Sequence, residues 1–105
     1  MSEEMPDGNA VTLGEVADLI KMEGLDGWNL VADGTAIEKE FLFTGFNAAF
    51  GFISRVALDS ENANHHPEWH NVYNRVVVRW TTHSTGGLSP LDFRLARKCD
   101  SILRE

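Results

Sequence analysis

The sequence predicts a single α+β domain, its elements in the order α-β-β-α-β-β-α, with helices on one side of a sheet. Three observations lead there. Phe46, Ala49, Phe50, Ile53, Val56 and Ala57 recur at helical spacing, as do Leu91, Leu95, Cys99 and Ile102. Two other stretches alternate with a period of two: Ile37, Phe41 and Phe43 against Glu38, Glu40 and Leu42, then Val76, Val78 and Trp80 against Val77, Arg79 and Thr81. One of the latter faces is apolar and the other mixed, as suits a sheet covered on one side only. A chain of 105 residues leaves room for one core and no second.

The elements follow in order. Residues 1–10 read as a flexible N-terminal tail and 11–105 as the domain. Thr12-x-x-Glu15 is a capping box, and Leu13, Val16, Ala17 and Ile20 form one stripe, which predicts a helix over 13–22 ended by Gly24 and Gly27. A short strand runs from Trp28 to Val31, Asp33-Gly34 makes the turn, and Ala36 to Thr44 forms the second strand. Lys39 interrupts its apolar face, as an edge or rim position can. An amphipathic helix covers 46–60, and Pro67 stops anything helical before it. Trp69–Tyr73 and Arg75–His83 read as strands joined by a tight turn near Asn74, and Gly86-Gly87 as a flexible turn. Ser89, Pro90 and Asp92 open the last helix as N-cap, first-position proline and acid three residues on.

Composition excludes several classes of function. Hydrophobic residues make up 43% of the chain, ordinary for a packed domain, and the net charge is −7 with no Lys/Arg cluster. Direct binding of nucleic acid or anionic membrane is therefore not expected. No apolar stretch approaches the roughly 18 residues of a membrane span. Cys99 is the one cysteine, so no intrachain disulfide can form, and the polar, acidic start is unlike a secretory leader. Both point to a reducing, cytoplasmic setting.

The chemistry concentrates in Glu61-Asn-Ala-Asn-His65-His66-Pro67-Glu68-Trp69, followed by Tyr73, His83 and Asp92. A metal site is not expected: adjacent His65 and His66 diverge on an extended backbone, and no Cys pair supports them. Cys99 lies on an apolar helix face, as a core residue would, and Ser84 and Ser89 lack a nucleophile elbow. General acid–base chemistry remains, because imidazole exchanges protons near neutral pH. On this reading Glu61, about one helical turn before His65, can meet it. Thr81 and Thr82 can orient His83, and Asp92 sits in a helix's first turn. Each residue also has a structural reading taken singly. A helix-end histidine is commonly solvated, Asp92 is a capping acid, and Trp69 and Trp80 are core or interface aromatics. His70, beside Trp69 on a strand, points to the opposite face and is left out of the site.

The ordered set Glu61-x-x-x-His65-His66-Pro67, Tyr73, His83 and Asp92 resembles the signature of the pterin-4a-carbinolamine dehydratases. Gly27-Trp28, Phe41-x-Phe43, Phe46-Asn47-x-Ala49-Phe50-Gly51-Phe52, Arg55-Val56-Ala57, Asn71-Val72-Tyr73-Asn74 and Thr82-His83 extend the likeness over about residues 13–103. The resemblance implies a four-stranded antiparallel sheet with three helices on one face. It also implies dehydration of a 4a-hydroxytetrahydropterin to the quinonoid dihydropterin, in tetrahydrobiopterin recycling, without metal or organic cofactor. Carried over by position, His65, His66 and His83 are the catalytic histidines, with Glu61 and Asp92 in support and Pro67 and Trp69 shaping the pocket. His66 and His83 are the expected acid–base pair, and His65 holds the pterin or shares the acid role. Some relatives also serve as dimerisation cofactors of a homeodomain transcription factor, so a protein-binding role is the main alternative. A pterin-binding role in another salvage pathway is a further one. A homo-oligomer, dimer or tetramer, is expected, through the stripe Leu95, Cys99, Ile102 and Leu103 or through an edge strand such as 69–73 or 75–83.

Overall fold

The computed structural model describes Asp18 and residues 24–104. Within them the order is β1 (Asn29–Val31), β2 (Ala36–Leu42), α1 (Phe46–Ala63), β3 (Glu68–Val72), β4 (Arg75–Trp80) and α2 (Pro90–Leu103). Short 3-10 turns occupy Ala32–Gly34 and His83–Thr85. The described residues therefore hold two α-helices rather than three, in the order β-β-α-β-β-α. The tail 1–10 and the helix expected over 13–22 lie outside them, except Asp18, which is helical.

All strand pairs are antiparallel and the sheet order is β1-β2-β4-β3. Register sets Ile37 beside Trp80, Phe41 beside Val76 and Trp69 beside Val78. The two-residue alternation turns Ile37, Phe41, Val76, Val78 and Trp80 to one face, where Ala49, Phe52 and Val56 of α1 and Phe93, Ala96 and Cys99 of α2 close over them. Phe52 lies at the centre of that core, its ring 4.6 Å from Phe41 and 5.2 Å from Phe43. Burying such a side chain contributes about 1.5–3 kcal/mol. The outer face carries the ion pairs Glu38–Arg79 and Glu40–Arg75, so the helices lie on one side of the sheet.

Two expectations are corrected here, and of the two positions expected for Lys39 the rim is the one it takes. Strand β4 lies between β2 and β3, so only β3 of the two proposed pairing strands is an edge. Lys39 belongs to an interior strand, not an edge: its stem runs along the core rim, past the Phe41 ring, to a 2.8 Å ion pair with Asp100 on α2. Trp28 Nε1 donates to the other oxygen of Asp100 at 3.1 Å. Leu95, Cys99 and Ile102 are consumed by the chain's own core, leaving Leu103 as the exposed member of that stripe. No helix among the described residues is long and apolar enough to cross a membrane.

Candidate active site

The end of α1 determines where the histidines go. Asn64 takes a left-handed conformation (φ 51°), the Asn64 N–H donates to Glu61 O at 3.1 Å, and the His65 N–H donates to Ser60 O at 3.0 Å. This pair of bonds is the Schellman ending of a helix, in which one left-handed residue satisfies the last carbonyls and reverses the chain. The turn sends His65 inward and leaves His66 outside. Half-buried Pro67 then leads into β3, which begins at Glu68.

His65 is mostly buried, its side chain 13% exposed, and it meets the fully buried Asp92: Nε2 and Oδ1 are 2.6 Å apart. Asp92 stands in the first turn of α2 because Ser89 and Pro90 start the helix there. Its Oδ2 accepts the Ser89 backbone N–H at 2.9 Å, which completes the cap, and the Thr82 hydroxyl at 2.7 Å. Thr82 Oγ1 is also 2.8 Å from Ser89 Oγ. The imidazole lies nearly parallel to Trp80, with ring centroids 5.8 Å apart and planes at 15°. Charge-assisted bonds of this length in a dry site are the strong ones.

The other two histidines are paired at the surface. His66 Nε2 is 2.9 Å from Glu61 Oε1, with side chains 58% and 81% exposed. His83, in the 3-10 turn after β4, is 86% exposed and its Nε2 lies 3.7 Å from Glu68 Oε2. That turn is tightly built rather than flexible: Thr82 and Gly87 exchange backbone bonds at 3.1 and 3.2 Å, and Gly86 supplies the left-handed residue at φ 73°. His83 and Glu68 line a cleft of about 240 Å³ together with Thr35, Arg79 and Thr81. His65 and His66 are not among the residues lining that cleft. Trp69 is 41% exposed and, by its register with Val78, faces the helix side. His70 is exposed on the other side of β3, as the strand alternation predicts.

His65, His66 and His83 thus each have their own carboxylate, in three degrees of burial, and the pairing differs from the sequence-based one. Glu61 meets His66 and not His65, because the left-handed Asn64 turns His65 away from its own helix. Thr81 donates to Thr35 O at 2.6 Å and Thr82 to Asp92, so neither hydroxyl orients His83. The contacts of Glu68 and Thr82 are not the expected ones: Glu68 has no expected role and pairs with His83, and Thr82, expected at His83, bonds Asp92. Glu68 carried a signal, a second acid two residues after His66, whereas the Thr82 contact joins β4 to α2 and leaves no local trace. Cys99 is 1% exposed and burial pushes its thiol up to about 12, so it is a core group. The cations, scattered in sequence, are gathered by helical spacing: Arg94, Arg97 and Lys98 of α2, with Arg104 just past its end, line a groove of about 720 Å³ against Asp59 and Asn62 of α1.

Comparison with known proteins bears on this arrangement. The pattern described as pterin 4 alpha carbinolamine dehydratase matches residues 9–102. A protein of Chelativorans sp. (strain BNC1) named for pterin-4-alpha-carbinolamine dehydratase is 53% identical over 77 residues, covering 73% of this chain and 79% of its own. The crystal structure of a transcriptional coactivator/pterin dehydratase from Brucella melitensis superimposes with a TM-score of 0.84 at 44% identity, over 90% of this chain and 98% of that one.

Proposed function

The chain belongs to the pterin 4 alpha carbinolamine dehydratase family, and on that footing we propose that it is a hydro-lyase converting a 4a-hydroxytetrahydropterin to the quinonoid dihydropterin and water, in tetrahydrobiopterin recycling. The observation that carries the reading is the set of three histidine–carboxylate pairs, one buried and two open, around the ends of α1, β4 and α2.

The chemistry needs two proton transfers. A proton goes to the C4a hydroxyl, which leaves as water, and the N5 proton is taken up as the C4a–N5 double bond forms. His66 and His83 are assigned to these transfers. Both are exposed beside an exposed carboxylate, so each regains its starting protonation state from bulk water between turnovers. Glu61 supports His66. His65 is held by Asp92 and suits holding the pterin better than repeated exchange with solvent. Pro67 and Trp69 form part of the wall. No metal or organic cofactor enters the proposed step.

The test follows dehydration of freshly made 4a-hydroxytetrahydropterin by ultraviolet absorbance. Wild-type protein is expected to accelerate it, His66→Ala and His83→Ala to lose about a hundredfold or more, each removing a different limb of the pH–rate profile. Equal loss of both limbs in both variants with unchanged binding counts against separate roles, and no acceleration by folded wild type sinks the reading. The coactivator description of the Brucella protein favours a second reading, a role as a protein-binding partner. Self-association belongs with both and rests on the open edge of β3 and on exposed Phe46, Phe50 and Leu58 of α1. Sedimentation of the pure chain as a monomer at micromolar concentration would contradict it. The setting we assign is the cytoplasm.

A further inference from the structure

The polar hydrogens around His65 can be assigned one by one. An ionised Asp92 carboxylate only accepts. Its Oδ2 takes the Ser89 N–H and the Thr82 hydroxyl, at 2.9 and 2.7 Å. Thr82 has one hydroxyl hydrogen and it points to Asp92, so at the 2.8 Å contact between the two hydroxyls Ser89 must be the donor. The hydrogen in the 2.6 Å contact between Asp92 Oδ1 and the ring must then sit on His65 Nε2. Among the described residues, Nδ1 has no hydrogen-bond partner. Stacking on Trp80 fixes the plane of the ring but not which edge faces Asp92, since both edges stack equally well.

From this geometry we infer that Thr82 is a positioning residue: with Ser89 it locks Asp92 so that His65 is held as the Nε2–H tautomer and offers Nδ1 as an acceptor for a ring N–H of the pterin. The substrate half rests on the dehydratase reading; the tautomer half does not. Without the Thr82 hydroxyl, one donor fewer restrains Oδ2. The carboxylate can then rotate and the imidazole can flip, placing Nδ1 towards Asp92.

The experiment is a nitrogen–proton correlation spectrum of the imidazoles in the ligand-free protein, recorded beside dehydration kinetics. Wild type is expected to show His65 protonated on Nε2. Thr82→Val is expected to show mixed tautomers and to lose about tenfold or more in kcat/KM, by analogy with removing a group that orients a metal-ligating histidine. Thr82→Ser restores both readings, which a merely structural role for the threonine methyl would not do. Asp92→Asn keeps an acceptor for Ser89 and Thr82 but turns an amide N–H to the ring. Whichever edge of the ring faces that amide, its nitrogen must then be unprotonated, which tests the network even if the valine variant fails to fold. An Nδ1–H wild type, an Asp92→Asn protein whose ring nitrogen facing the amide is still protonated, or a folded Thr82→Val with wild-type spectrum and rate overturns the inference. The expected wild-type spectrum without any dehydration upholds the tautomer and overturns the dehydratase reading instead.

Discussion

Removing the Asp92 carboxylate should cost far more stability than removing that of Glu61, although each pairs with one histidine. Asp92→Ala deletes a group that is 0% exposed and strands three donors: Ser89 N–H, the Thr82 hydroxyl and His65 Nε2. Loss of the cap alone costs about 1 kcal/mol. Leaving a buried donor unsatisfied costs about 1–3 kcal/mol, and breaking a buried pair from one side about 3–5 kcal/mol. Thr82 and Ser89 can partly satisfy each other at 2.8 Å, so the lower end applies, about 3 kcal/mol. For a domain of this size that lowers Tm by roughly 12 °C or more. Glu61→Ala breaks a pair whose side chains are 81% and 58% exposed, and solvent screening leaves about 0.5 kcal/mol or less. Urea unfolding followed by tryptophan fluorescence reads both, since Trp28 and Trp80 are buried. Equal destabilisation by the two variants, or a loss below about 1 kcal/mol for Asp92→Ala, would refute the assignment of Asp92 as the buried anchor.

Asn64→Gly should leave the thermal midpoint unchanged or slightly raised. Asn64→Val, forced into the left-handed region, should lose about 1–2 kcal/mol and misplace His65, so that dehydration falls as well. Cys99 predicts an alkaline effect. Its ordinary value is 9.0 and burial raises it to about 12, so between these pH values the unfolded chain loses a proton that the folded one keeps, and stability falls as pH rises through that window. Unfolding at pH 8 and at pH 10.5 checks this, with Cys99→Val expected to remove that share of the slope. Asp100→Ala removes the partner of Trp28 and of Lys39 and should cost about 2 kcal/mol, allowing for partial exposure of the ion pair. A double-mutant cycle with Lys39→Met isolates the ionic part, and additive single losses would show that the pair contributes nothing.

What was legible in the sequence was local. The capping box at Ser89 and Asp92, the alternation of β2 and β4 and the stripe of α1 all depend on neighbours within a few residues, and each is present, although β2 ends at Leu42 and β4 at Trp80, short of the expected Thr44 and His83. Helix α1 runs to Ala63, past the expected end at 60, because Asn64 closes it before Pro67 can. Phe93 and Ala96 joined the core unannounced because α2 packs on both α1 and β4 and so buries more than one stripe. In the candidate site the histidines and acids were identifiable by type, but their partners were not. Which acid meets which imidazole is decided by a single left-handed residue and by strand β4 arriving beside α2, and neither leaves a periodic mark.

Both ends of α2 are held by a carboxylate that serves two other elements. Asp92 at its start ties the loop after α1 to Thr82 beyond β4, and Asp100 near its end ties Trp28 and β2. Between these two residues the helix cannot fray without breaking a buried hydrogen bond at Asp92 or a partly buried ion pair at Asp100. Its amides should therefore exchange with solvent through opening of the whole domain, and the His65 site should melt as one cooperative unit with the far side of the sheet. Hydrogen-exchange protection along α2 would then be uniform from its first turn to Asp100, and weakening either carboxylate would lower protection at both ends together.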